Sequence, residues 1–187
     1  MKNSKEIIRI GLILFAITAI SALLLAFANK ITAPVIEVNN QKKTEEAMRL
    51  LMKDASTFEE AQFPGDKISK AYIAKDKSGN LAGVCVVSSE FGYGGAVEVM
   101  TGIDAEGKVT GIDVLNHAET PGLGARADEY EFKKQFAGRT AGIEAVKGDA
   151  SDNEISAMSG ATITSKAVTS AVNNALSAAE EIMKEAK

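Results

Sequence analysis

The strongest pattern in this chain is a long break in polarity near its start. Ile10 to Ala28 (IGLILFAITAISALLLAFA) runs 19 residues without a charge. As a helix it measures about 28 Å, close to the hydrocarbon thickness of a bilayer. A single helix pairs its own backbone amides, as any spanning segment must. The stretch has no polar face, so it is not the amphipathic helix of a soluble core. Ala26-Phe27-Ala28 has the form of a signal-peptide cleavage site, but signal h-regions run only about 7–15 residues. The length favours a retained membrane anchor. No cysteine closely follows to carry a lipid.

Beyond the anchor the periodicity changes. Pro34 predicts an end to, or a bend in, the helix leaving the membrane. Glu37 to Lys53 predicts a polar helix ending in an apolar patch. Thr57 to Lys70 reads as a loop punctuated by Phe63-Pro64-Gly65. A pattern then repeats at an offset of 28 residues. Asp76, Gly79, Leu81, Gly83 and Val84 return as Asp104, Gly107, Val109, Gly111 and Ile112. Each copy reads strand, D-x-x-G turn, strand, and two such hairpins predict an antiparallel meander. Between them, Gly92-Tyr93-Gly94-Gly95 permits close backbone approach to another chain or a ligand. Asn116 to Gly124 (NHAETPGLG) has loop composition. Ala125 to Phe136 predicts a short amphipathic helix, Ile143 to Val146 a strand, and Asp149 to Ser156 a polar loop. Lys166 to Ala186 predicts a long helix. Its Val168, Val172, Leu176, Ala179 and Met183 form one stripe for packing on a sheet. The expected fold class is α+β: one N-terminal transmembrane helix, then an antiparallel-sheet domain with packed helices. The expected division is an anchor over 1–30, a helical connector over 31–70 and a domain over 71–187.

Charge adds an orientation. Lys2, Lys5 and Arg9 crowd one flank of the span, while Lys30, Lys42 and Lys43 are strung out after it. The positive-inside rule then predicts a single-pass protein of the cell (inner) membrane, N-terminus cytoplasmic and domain extracytoplasmic. The whole chain has 21 Lys+Arg against 25 Asp+Glu, a net charge of −4. That balance argues against nucleic acid as a partner. Cys85 is the single cysteine, which excludes an intramolecular disulfide, a four-cysteine iron–sulfur cluster and a zinc knuckle. His117 is the single histidine, which excludes a two-His metal site and bis-His haem. No metal site is expected, and redox chemistry would need an organic cofactor. Cys85, within LAGVCVV, reads as a buried strand residue.

Two segments could carry chemistry. SGATITS (Ser159 to Ser165) sits just before the predicted last helix, where unpaired amides and the helix dipole attract phosphate. Ordinary helix capping by Ser and Thr explains the same residues. NHAETPGLG offers glycine amides, Glu119 and Thr120 to the polar edge of a planar ligand, or is simply a surface turn. His117 and Glu119 can be drawn as an acid–base pair, but no third group completes a triad. No serine stands in a nucleophile elbow, so no catalytic residue is assigned.

Together, the anchor, YGGAVEVMTGIDAEGKVTGIDVLNHAETPGLG and SGATITS resemble the RnfG family, components of the Rnf complexes, which are membrane-bound ferredoxin–NAD oxidoreductases. The likeness covers nearly the whole chain. It is similar, less closely, to the NqrC family of the Na+-translocating NADH–quinone reductases. The resemblance implies FMN held by a phosphoester bond to a threonine and installed by a separate flavin transferase. The family's acceptor is the threonine after Gly-Ala, here Thr162, with Thr164 as fallback. Ser159, Gly160 and Ala161 would accompany the phosphate end. Glu119, Thr120, Pro121, Gly122, Leu123 and Gly124 would lie against the isoalloxazine ring. One position departs from the pattern: the transferase motif has Asp six residues before the acceptor, where this chain has Ser156.

The implied function is an electron-transfer subunit of an ion-translocating complex, not catalytic alone. Its implied partners are the other membrane subunits, the transferase, and the bilayer through residues 10–28. With no ionisable residue in its span, the chain is not expected to form the ion path alone. Two alternatives stand beside this. One is an exported covalent flavoprotein of another electron-transport chain. The other is a non-redox anchored binding module.

Overall fold

A computed structural model describes residues 2–63, 65 and 67–185. Pro64 of the Phe63-Pro64-Gly65 segment and Ala186 of the last predicted helix lie outside the described residues. The chain divides into two compact units, one up to Lys42 and one from Lys43 onward. Helix α1 (Lys2–Leu51) supplies the first unit and runs unbroken through Pro34. Proline therefore does not end this helix. The ring removes one backbone hydrogen bond locally, and the Glu-, Gln-, Lys- and Leu-rich residues beyond it are good helix formers that resume the ladder. Side chains of the apolar stretch are exposed, Phe15 at 69% and Leu23 at 71%. The helix is long and apolar enough to cross a membrane.

In the second unit, five strands among the described residues form one antiparallel sheet in sequential order. They are β1 (Thr57–Ala61), β2 (Ile68–Lys75), β3 (Leu81–Phe91), β4 (Ala96–Asp104) and β5 (Val109–Asn116). The internal repeat is the pair of hairpins β2–β3 and β4–β5, and the two turns are built alike. Asp76 Oδ1 accepts from the amides of Ser78 and Asn80, and Asp104 Oδ1 from those of Glu106 and Lys108. Gly79 and Gly107 both take φ of 83°, a left-handed value open to glycine. The predicted loop over 57–70 is corrected: β1 and the start of β2 lie within it. β1 is an edge strand with exposed Glu59 and Glu60, charges that discourage further pairing and mask its periodicity.

The predicted 125–136 helix is broken into pieces. It comprises a 3-10 segment Gly124–Asp128, helix α2 (Tyr130–Lys133) and a 3-10 turn Lys134–Phe136. Its apolar side is as expected, with Ala127, Phe132 and Phe136 buried. Two short strands, β6 (Glu144–Val146) and β7 (Glu154–Ser156), pair in parallel. β7 replaces the end of the predicted 149–156 loop, because Ile155 is buried in the main core. Helix α3 (Thr162–Glu185) starts four residues earlier than predicted, so Thr162 to Ser165 form its first turn.

Both faces of the sheet are covered. Val84, Val86, Val97, Val99 and Ile103 pack with Val168, Val172, Leu176 and Ala179 of α3, and Met183 joins at the edge. On the other face Ala74, Cys85, Val87 and Met100 pack with Ala47, Met48, Leu51 and Met52 at the end of α1. Burial pushes the Cys85 thiol up to about 12, so it remains an inert thiol at neutral pH. Glycines bring this second layer close. A Cβ on Gly83, at φ of 151°, would fall 2.2 Å from the Ile103 carbonyl oxygen and 2.7 Å from Met52. Gly83→Ala is therefore expected to cost about 2–4 kcal/mol through overpacking and backbone strain. Thermal unfolding of the detergent-solubilised chain would reveal it. An unchanged midpoint would show that the layer yields freely.

Candidate functional site

The β3–β4 turn, the 116–124 loop, the β6–β7 region and the start of α3 converge on one cleft of about 740 Å³. Ser159, Gly160, Ala161, Thr162 and Thr164 line it from the SGATITS side, and Glu119, Thr120, Leu123 and Gly124 from the loop. Two motifs far apart in sequence thus share one cavity. Pro121 and Gly122 are not among the lining residues; they form the outer bend of the loop, where Gly122 takes φ of 77°. Tyr93, Lys147, Gly148, Ala157, Met158 and Ile163 also line the cleft and were not singled out as site residues from sequence. The glycine-rich turn hinted at Tyr93. Nothing local marks Lys147, a cation brought there by β6.

Glu119 ties the site together. It is 7% exposed, and both carboxylate oxygens accept hydrogen bonds. Oε1 takes the Gly94 amide at 3.0 Å, and Oε2 takes the Thr164 hydroxyl at 2.8 Å. The surrounding glycines make room for it. A Cβ on Gly92 would lie 2.3 Å from Glu119 Oε1, and one on Gly124 would lie 2.3 Å from Oε2 and 2.6 Å from Thr164 Oγ1. The drawn His117–Glu119 acid–base pair does not form. His117 Nδ1 accepts the Glu119 backbone amide at 3.2 Å, and Nε2 meets Asp128 at 3.2 Å.

The first turn of α3 is held from inside. Ser165 Oγ accepts the Met158 amide at 3.0 Å and donates to the Ala161 carbonyl at 2.9 Å. This bracket fixes the Ser159–Ala161 bend, where Gly160 takes φ of 76°. The neighbouring wall is pinned by Ser156, whose hydroxyl donates to the Gly148 carbonyl at 2.5 Å. Of the two candidate threonines, Thr164 is 1% exposed with its hydroxyl engaged, whereas Thr162 is partly exposed at the first position of the helix.

Residues 1–50 match the RnfG N-terminal region, and residues 92–177 match the FMN-binding domain, a range that encloses both motifs of the cleft. The chain is 37% identical to the RnfG component of the Na(+)-translocating ferredoxin:NAD(+) oxidoreductase complex of Acetobacterium woodii, covering 96% of this chain and 95% of the relative. The chain belongs to the RnfG family. Within that family it is also 35% identical to the corresponding component of the Proton-translocating ferredoxin:NAD(+) oxidoreductase complex of Clostridium ljungdahlii, over 84% and 83% of the two chains. The fold matches that of the NqrC component of the Na(+)-translocating NADH-quinone reductase from Parabacteroides distasonis. The TM-score is 0.60 at 18% identity, over 79% of this chain and 95% of that one. Shewanella oneidensis NqrC gives 0.56 at 19% identity, over 72% and 74%.

As an RnfG-family chain the protein carries an FMN-binding domain, and its cleft suits that ligand. The volume lies within the range of small-molecule sites. Leu123, Met158, Ile163 and Tyr93 offer apolar surface for a planar ring system, and Lys147 with the first amides of α3 offers positive charge for a phosphate.

Proposed function

We propose that this chain is the electron-transfer subunit of a membrane-bound ferredoxin–NAD oxidoreductase complex that moves ions, and that it carries FMN covalently on Thr162. FMN supplies reversible one- and two-electron redox chemistry when bound; the protein supplies position and electrostatics. The observation that carries the attachment site is the contrast between the two threonines. The Thr164 hydroxyl is buried and committed to Glu119, while Thr162 is partly open to the cleft at the start of α3. A phosphoester at Thr162 would sit among the first amides of α3, with Lys147 lining the same cleft. Ser159, Gly160 and Ala161 shape the bend before it. Glu119, Thr120, Leu123 and Gly124 form the opposing part of the lining, and Pro121 and Gly122 hold the loop's bend.

A covalent tether is useful on an extracytoplasmic domain, where lost FMN is not readily replaced. The charge flanking the span supports that side for the domain, with the N-terminus cytoplasmic. The bilayer contact is assigned to residues 10–28, and the ion path to the other membrane subunits. The dedicated flavin transferase remains part of this reading.

The test is co-expression of the chain with a flavin transferase, denaturation, and a search for flavin fluorescence on the protein band. Wild type and Thr164→Val are expected to fluoresce, and Thr162→Val to be dark. A dark wild-type band that Ser156→Asp restores would assign the deficit to the departure at Ser156. If Ser156→Asp also stays dark, covalent attachment is wrong for this chain.

A further inference from the structure

The turn between β3 and β4 displays one side chain, Tyr93, among three glycines. Its backbone is clamped. The Gly92 amide donates to the Gly95 carbonyl at 2.8 Å, and the Gly94 amide to Glu119 Oε1 at 3.0 Å. A Cβ on Gly94 would fall 2.2 Å from the Ala118 carbonyl oxygen, and one on Gly92 would strike Glu119. Glycine is therefore required on both sides of the residue that the turn presents. Tyr93 lines the cleft, yet it is 76% exposed. Leu123 and Ile163 line the same cleft and are also exposed, at 46% and 56%. A large ring held on a fixed turn beside other open apolar side chains is surface made to be covered.

We propose that Tyr93 lies against the isoalloxazine ring of the flavin and shields it from water. The inference rests on the flavin reading of the cleft and assigns a positioning role to a residue outside both the SGATITS and the ETPGLG segments. Offset stacking suits two aromatic faces, and the clamped turn spends little conformational freedom in presenting one. The contact has an optical signature. A phenol ring touching a photoexcited flavin lends it an electron and takes it back, so emission is quenched with no net chemical change. Phenylalanine is a far poorer electron donor of similar shape.

The experiment uses the full chain, co-expressed with a flavin transferase and purified in detergent. Emission per bound flavin and quenching by iodide are compared for wild type, Tyr93→Phe and Tyr93→Leu. Tyr93→Leu is expected to brighten the flavin several-fold and to make it more accessible to iodide. Tyr93→Phe is expected to brighten it while keeping the shielding, a split that a merely structural role would not produce. Unchanged emission and iodide access in Tyr93→Leu, at equal flavin content, would overturn the proposal. A wild-type chain without any flavin would instead sink the flavin reading, and this inference with it.

Discussion

Glu119→Ala is expected to lower stability by about 2–4 kcal/mol, from two lost hydrogen bonds and one buried donor, the Thr164 hydroxyl, left without a partner. The two bonds come from the Gly94 amide and the Thr164 hydroxyl. Nothing nearby fills the gap, because Gly92 and Gly124 have no side chains to move into it. For a chain of this size the unfolding midpoint should fall by roughly 5–15 °C. The loss also has a functional side: Glu119 joins the β3–β4 turn, the 116–124 loop and α3 around one cleft. Releasing it should loosen that cleft and reduce flavin content. Glu119→Gln is the control. It keeps the shape and one carbonyl acceptor, so most of the stability should return. Circular dichroism melting and flavin absorbance on the detergent-solubilised chain check both effects. If the alanine variant melts within a couple of degrees of wild type, Glu119 is not the strut of the site.

This strut shows where sequence reading stops. The hairpin turns were legible because their chemistry is local: Asp76 and Gly79, or Asp104 and Gly107, form the whole device within a few residues. The stripe on α3 was legible for the same reason, since helical periodicity is written in consecutive turns. The Glu119–Thr164 bond spans 45 residues and the Glu119–Gly94 bond spans 25. No spacing rule announces either, so Glu119 read as a polar handle for a ligand or as a partner of His117, and not as a strut between distant segments. β1 was missed because an edge strand with exposed Glu59 and Glu60, one on each face, breaks the alternation of a strand and has the composition of a loop. The early start of α3 was missed because Ser and Thr suit a cap as well as a first turn. Those residues proved to belong to the helix, with the Ser165 side chain bracing the bend that precedes it.

The second large effect concerns where the folded domain begins. The unit that starts at Lys43 includes the last turns of α1, and Ala47, Met48, Leu51 and Met52 cover one face of the sheet. That segment is too short to be helical alone in water; packing on Ala74, Cys85, Val87 and Met100 holds it. A chain of residues 43–187 is therefore expected to be soluble without detergent and to melt close to the full-length midpoint. A chain of residues 53–187 loses those four side chains and bares their partners. Burial of the three larger ones alone is worth about 5 kcal/mol or more, so this shorter piece should melt far lower or aggregate. The anchor and the cover of the sheet are then expected to be separable functions of one helix. Size-exclusion chromatography and thermal melts of the two truncations test this directly. Equal midpoints would mean that the α1 layer adds no stability, while an insoluble 43–187 would mean that the domain depends on residues before Lys43.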